Sequence, residues 1–269
     1  METGETKNQR GQTLMALYLK NIQLIENISD LANIPIGKTL INCLNAYSYN
    51  IAQNDTIFAE VLNNSDYLIP DGISIVMACK WLKAKSRPKN RIVGWDLFSY
   101  EMNRLNSVYN HGYYVHNNRK HPLVMFMGSS EETLKLIRKN MKTSFPNLDV
   151  ATYSPPFKST FSDEDSLAMV EAINTTQPDL LWIGMTAPKQ EKWVYQNWDK
   201  LAIDCHVGCV GAVFDFFAGT IKRAPKWWQD HSLEWVYRLI KEPKRMWKRS
   251  VIGIPLFLYN IFFKEWLKR

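Results

Sequence analysis

The sequence predicts an α/β protein: a mostly parallel sheet with helices on both faces, followed by a small, basic α-helical appendage. Three observations predict it. Short apolar runs alternate with segments of helical periodicity about 12 residues long, the pattern of βαβ units and of a sheet buried on both sides. A chain of 269 residues, 46% hydrophobic and 22% charged, can bury a full α/β core and has the composition of a folded domain. Charge is segregated, since residues 222–269 hold 12 Lys or Arg against 4 Asp or Glu, a net of +8 within a chain total of +7. Residues 1–221 therefore carry 21 basic and 22 acidic side chains, and nothing in them reads as a basic groove.

Residues 1–13 are polar and read as a disordered lead-in; residues 14–225 are the expected core and 226–269 the appendage. Leu17, Ile22, Leu24, Ile25 and Ile28 allow a helix from residue 14 to about 28, and KTLINCL at 38–44 reads as a first buried strand ending at Asn45. Residues 51–62 are helical in pattern with Asn54 and Asp55 as weak interruptions, and 66–69 is a short strand. Pro70, Asp71 and Gly72 make a strand-to-helix turn, where Pro fixes φ and Gly lets the backbone approach a ligand. A helix at 73–82 follows; then 91–98, with Gly94 and Asp96, leads into another that runs to about residue 105. Residues 106–121 lack periodicity and read as a loop. Strand 123–127 ends at Gly128 and Ser129, ahead of a helix with Ser130 as cap and Glu131 and Glu132 in its first turn. Strand 148–153, helix 162–174, strand 179–184, a helix containing Trp193 and a last core strand at 206–214 complete the core. In the appendage Pro243 separates two short helices.

Several classes are disfavoured. The longest apolar run near the end, 251–263, is broken by Pro255 and Asn260 and is shorter than the roughly 20 residues of a spanning helix. The polar N-terminus lacks the apolar region of a secretory leader, and four scattered cysteines suit a reducing cytoplasm. On one strand Cys205 and Cys209 would stand about 13 Å apart, too far to share an ion with His206, so they read as small buried hydrophobes. Five of the ten Trp residues (Trp227, Trp228, Trp235, Trp247, Trp266) accompany the tail's cations. That mixture suits an anionic surface with apolar parts, such as a lipid headgroup layer.

In parallel sheets ligands bind beyond the carboxyl ends of the strands. Four polar or glycine turns fall there: Asn45, Asp71 with Gly72, Gly128 with Ser129, and residues 184–190. Asp71 is the candidate general base, because partial desolvation on such a turn raises a carboxyl pKa towards a useful value; the alternative is a helix N-cap. Asn45 and Gln190 offer neutral groups that orient a sugar, or are ordinary loop residues. Gly128 and Ser129 at a helix start can hold phosphate on backbone N–H groups, although neither GxGxxG nor GxxxxGK[ST] occurs. Asp163, Glu164 and Asp165 contain a DxD spacing, read as the acidic first turn of a helix after Ser162 rather than as a metal site. Arg238, Arg245 and Arg249, spaced by seven and four, share one helical face, and Arg forks suit a diphosphate.

The blocks PDGISIV, RIVGWDLF, GMTAPKQEKW and VGAVFDFFAGTIKRAPKWWQ, followed by LEWVYRLIKEPKRMWKR, resemble the WecG/TagA/CpsF family of bacterial glycosyltransferases over about residues 38–255. The ordered set is far more specific than any single block. The resemblance implies a Rossmann-like core, a UDP-sugar donor, inversion at the anomeric carbon, and a polyprenyl-diphosphate-linked saccharide as acceptor on the inner face of the membrane. It implies Asp71 as catalytic base, with Asn45 and Gln190 beside it. Gly72, Arg91, Gly94, Asp96, Gly128 and Gly184 are the further candidates for holding the donor, and the resemblance implies Arg238, Arg245 and Lys248 closing over the diphosphate. Lys248 stands where the family often has Arg and lacks the planar fork. Cys43 stands where Thr is frequent, Met185 and Thr186 where small apolar residues are common, and residues 106–121 look longer than usual.

The expectation is therefore a glycosyltransferase of surface-polysaccharide synthesis, peripheral on an anionic membrane and independent of metal or other cofactor. A homo-oligomer is left open. The rival is a nucleic-acid-binding protein with a basic aromatic tail, disfavoured because no nucleic-acid motif occurs. A nicotinamide enzyme is disfavoured by the missing glycine fingerprint.

Overall fold

The computed structural model describes residues 16–110 and 119–267. Its centre is a six-stranded sheet in which every adjacent pair is parallel. Strands β1 (Thr39–Leu44), β2 (Tyr67–Pro70), β3 (Leu123–Gly128), β4 (Asp149–Tyr153), β5 (Leu180–Gly184) and β6 (His206–Cys209) lie in the order β2-β1-β6-β5-β3-β4. Between them run α1 (Ala46–Ala52), α2 (Thr56–Asn63), α3 (Ile73–Leu82), α4 (Gly94–Asn110), α5 (Glu131–Ser144), α6 (Asp163–Thr176) and α7 (Lys189–Asn197), and α8 (Gly211–Ala218) follows β6. The expected Rossmann-like α/β class is therefore the observed one.

Alternate strand residues enter opposite faces, as the two-residue period requires. Ile41, Val124, Phe126, Leu180 and Trp182 pack under α4, α5 and α8, while Leu40, Met125, Leu181, Ile183 and Val207 pack under α6 and α7. Phe98 of α4 meets Trp182 and Phe217 at centroid distances of 5.4 and 5.1 Å. Burying each such ring contributes on the order of 2–3 kcal/mol, which pins α4 and α8 to the sheet. A third core holds Leu44 and Leu68 against α1, α2 and α3.

Four local expectations change. Residues 16–27 form no helix: Leu17, Leu19, Ile22 and Leu24 are buried along a chain that is not helical, and a 3-10 helix follows at Ile28–Asn33. Their backbone donors reach the core instead, Leu24 N–H to Ser86 Oγ and Ile25 N–H to the Leu68 carbonyl, so tertiary partners override helical spacing. The interruption at Asn54 and Asp55 is a full break, because the Asp55 carboxylate accepts the Phe58 N–H and starts α2. Residues 106–110 continue α4 rather than opening a loop; residues 111–118 lie outside the described residues, as do 1–15. The run 206–214 is not one strand. β6 ends at Cys209, and Val213, Phe214 and Phe217 then line the buried face of a helix, α8.

The tail is longer in helix than expected. After α9 (Lys226–Asp230) and α10 (Glu234–Lys241), Pro243 does break the chain at Glu242. Beyond it, α11 (Pro243–Met246), a π-helical turn (Trp247–Ile252), α12 (Gly253–Asn260) and a second π-helical turn (Ile261–Trp266) run without interruption. Phe257 and Ile261 are buried in the third core. Val251, Ile252, Leu256, Leu258, Tyr259 and Phe263 face outward and are exposed. No helix among the described residues is long and apolar enough to cross a membrane.

Candidate active site

The carboxyl ends of β1 and β2 set Asp71 and Asn45 side by side. The Asp71 N–H donates to the Leu44 carbonyl at 2.8 Å, which ties the end of β2 to the end of β1. Gly72 follows at φ 141°, a conformation that a side chain resists, and it is Gly72, not Asp71, that occupies the N-cap position of α3. The capping alternative for Asp71 therefore fails, and its carboxylate is free to accept the Asn45 amide Nδ2–H at 3.2 Å. Asn45 does cap a helix, since its Oδ1 accepts the Ser48 N–H at the start of α1. One amide thus fixes α1 with its oxygen and aims Asp71 with its nitrogen.

Burial holds the Asp71 carboxyl above the ordinary aspartate value; the Asn45 hydrogen bond opposes the rise, Glu234 adds to it, and Arg91 and Arg238 oppose it. That list itself maps the site, because Glu234 and Arg238 belong to α10 in the tail. The tail's cations converge here. Arg91 donates to the Gln229 carbonyl at 2.7 Å and lies 3.5 Å from Glu234, which also faces Arg223 at 3.7 Å. Arg238 lies 3.5 Å from Glu242, with its Nε and Nη2 buried and lacking a hydrogen-bond partner, and stacks over Phe216. Arg245 pairs with Glu242 at 3.1 Å and with Asp215 of α8 at 3.7 Å. Lys248 is exposed. The third cation near Arg238 and Arg245 is Arg249, which stacks on Tyr47 at 4.6 Å and whose pKa is lowered by burial, an effect that the two neighbouring arginines reinforce. This is the helical face on which the spacing by seven and four placed Arg238, Arg245 and Arg249, with residue i+4 closer in line with Arg245 than residue i+3.

Gln190 is not open to the cleft. Its Oε1 accepts the Met185 N–H at 2.9 Å and its Nε2 donates to Glu191 at 2.8 Å, so it braces the turn between β5 and α7. Glu191 is a residue that sequence reasoning passed over, although it closes the PKQE block. It is 3% exposed, its second oxygen is buried without a hydrogen-bond partner, and burial pushes its pKa to about 7 against the opposing pull of Gln190 and Arg249. Cys43, on β1, is within electrostatic reach of both carboxyl groups; burial first, and Asp71 and Glu191 after it, push its thiol well up.

The remaining expected positions divide. Asp96 accepts the Val93 N–H and serves the start of α4, and Gly94 opens that helix against Val210, Val213 and Cys43. Gly128, at φ 123°, lies against the Gly184 backbone so closely that an added Cβ would stand 2.3 Å from the Gly184 carbonyl oxygen. The two glycines join β3 to β5 beside the N-terminus of α5, where Ser130 caps. The acidic stretch at 163–165 is a helix cap: Asp165 accepts the Ser162 N–H and pairs with Lys158 at 2.7 Å. His206 lies between Glu101 and the Pro35 carbonyl, each at 3.0 Å, and Cys205 and Cys209 are free and buried. No group of three or more His, Cys, Asp or Glu among the described residues is placed to hold a metal ion.

The arrangement offers a half-buried carboxylate at the strand ends, faced by guanidinium groups from a separate segment. Such a pair can take a proton from a nucleophile and balance negative charge on a leaving group. Residues 16–269 match the model of the glycosyl transferase WecG/TagA/CpsF family. The N-acetylglucosaminyldiphosphoundecaprenol N-acetyl-beta-D-mannosaminyltransferase of Bacillus subtilis (strain 168) is 28% identical over 214 residues, covering 80% of this chain and 75% of that protein. The protein of the same name from Staphylococcus aureus (strain MW2) is 27% identical over 241 residues, covering 89% and 86%.

Proposed function

The chain belongs to the glycosyl transferase WecG/TagA/CpsF family, and on that premise we propose that it moves a sugar of the hexose or N-acetylhexosamine type from UDP to a saccharide carried on a polyprenyl diphosphate. The product would enter a bacterial surface polysaccharide. The observation that carries this reading is the meeting of Asp71, aimed by Asn45, with Arg238 from the tail. Asp71 takes the proton of the acceptor hydroxyl as its oxygen attacks the anomeric carbon from the side opposite UDP. The bond to the β-phosphate oxygen breaks, the electron pair leaves on the diphosphate, and the configuration inverts. Arg238, Arg245 and Arg249 balance the charge that develops there, the task a metal performs in other transferases.

The names of the relatives specify an acceptor of the lipid-diphosphate class. The outward apolar row of 251–263 supports a peripheral position on the membrane that carries such an acceptor. The test is turnover of UDP-N-acetylmannosamine with a short lipid-diphosphate N-acetylglucosamine. Asp71→Asn keeps the size and the partner of the side chain but removes the base, and kcat should fall by about 10²–10⁴-fold. A fully active Asp71→Asn enzyme would remove Asp71 from the role. Inversion is read directly, from the anomeric configuration of the product.

A further inference from the structure

The tail holds all the net positive charge, yet the fold builds a second cationic surface from the core. Residues 80–91 (KWLKAKSRPKNR) contain six basic side chains and no acidic one. From Lys83 the chain leaves α3 and alternates strictly: Lys83, Lys85, Arg87 and Lys89 are exposed, while Leu82, Ala84, Ser86 and Pro88 are buried. Backbone bonds hold this segment in place, from the Lys85 N–H to the Lys20 carbonyl and from the Arg87 N–H to the Glu26 carboxylate. The four exposed cations have no salt bridge to any acidic side chain among the described residues. Lys80, Lys83, Arg87 and Lys89 surround an open pocket of about 370 Å³.

This row of cations is tied to the tail at both ends. At the α3 end, Trp81 stacks on Phe262 and Trp266 at 6.2 and 6.0 Å, with Met77 exposed one turn earlier. At the other end Arg91 reaches Glu234 and Gln229, and its charge acts on Asp71. In extended chain the span from Lys83 to Arg91 is about 26 Å. The helical run from Arg249, on Tyr47, to Trp266, on Trp81, is about 25 Å. A row of cations and a row of exposed apolar side chains thus run between the same two places, the far end of α3 and the active site.

We propose that Lys83, Lys85, Arg87 and Lys89 form a headgroup-binding track of the core, which docks with the apolar row of the tail on an anionic phospholipid bilayer. The proposal rests on the transferase reading only in that a lipid-linked acceptor would arrive along this face. Unpaired cations beside Trp and Phe side chains match the charge and polarity of the headgroup layer.

The test is co-sedimentation of the full chain with phosphatidylcholine vesicles and with vesicles that also contain phosphatidylglycerol. The wild type should favour the anionic vesicles. The variant Lys83→Gln, Lys85→Gln, Arg87→Gln, Lys89→Gln should bind them more weakly by on the order of several hundred-fold, since each cation near such a surface is worth about fivefold. The paired variants K83Q/K85Q and R87Q/K89Q should each lose on the order of 20–30-fold on the same basis, which preserves the test if the quadruple variant folds poorly. Turnover on a soluble acceptor should be unchanged in all three. Undiminished binding by the variants, equal binding of the wild type to neutral vesicles, or a preference of the wild type for a polynucleotide would each overturn the proposal. The readout is binding, so a wild type that docks through these residues but transfers no sugar would sink the function while leaving the track in place.

Discussion

Asp71 and Glu191 are two carboxyl groups that both act on Cys43, and burial raises the pKa of each. A base must be ionised to act, so kcat/KM should rise with pH through the raised Asp71 value, on the alkaline side of an ordinary aspartate; Asp71→Asn should lose that limb. For Glu191 the same burial becomes a statement about stability. Its pKa rises from an ordinary 4.5 to about 7 on folding, so the folded protein holds the proton more tightly. The stabilisation is complete below the unfolded value and is lost as pH climbs through the folded one. About 3 kcal/mol is at stake across that window. Glu191→Gln, which does not titrate, should therefore gain about 3 kcal/mol relative to wild type between pH 4.5 and pH 8 in urea unfolding. A difference that stays flat with pH would show that Glu191 titrates normally. The importance of Asp71 was legible from its turn. That of Glu191 was not, because its neighbours Cys43, Cys209 and Arg249 lie on three other segments.

Among the elements, the tail's last turn ties the C-terminal segment to the core. The Glu265 carboxylate, 5% exposed, accepts the Leu19 N–H at 2.7 Å, the Lys20 N–H at 2.8 Å and the Tyr49 hydroxyl. It joins the chain's first described residues to α1 and to the end of the tail. Glu265→Ala leaves two buried donors and a part-buried one unanswered and should cost about 3–5 kcal/mol of stability, measured by denaturant unfolding. A loss under 1 kcal/mol would mean that water replaces the carboxylate. Removing everything from residue 226 would also take Phe257 and Ile261 out of the third core, so such a truncation tests folding as much as catalysis. Arg238→Ala with Arg245→Ala leaves that core intact and is the better probe of the tail's part in turnover. Helical periodicity announced most helices, but it failed over residues 16–27, where burial across the β2 edge decided the conformation, and over 206–214, where an apolar run served a strand and a helix in turn.

At the scale of the molecule, charge and apolar surface are arranged along one flank. The exposed tail residues and the cations at 83–89 run between the active site and the end of α3, so docking on a bilayer would bring the site to the lipid surface. Exposed charges are screened by salt, whereas apolar contact is not. Vesicle binding of the wild type should therefore weaken as NaCl rises from about 50 to 500 mM and level off at a residual affinity. Leu258→Gln with Phe263→Gln should remove that residue of binding. Salt-independent binding would mean that the apolar row acts alone.

The sequence by itself determined the fold class, through alternating apolar runs and helical segments, and it placed Asp71 and Asn45 at strand ends, where a parallel sheet presents its ligands. It also determined that net positive charge collects after residue 221. Tertiary structure decided the rest, because those properties depend on which segments meet. Packing of the tail on α1 seated Arg249 over Tyr47 and within electrostatic reach of Arg238 and Arg245, while Lys248 stayed exposed. Gln190 was turned inward by its bonds to Met185 and Glu191. The cations of 83–89 were invisible in a net charge of −1 for residues 1–221, since a sum over sequence carries no direction, and attraction to a surface depends on it.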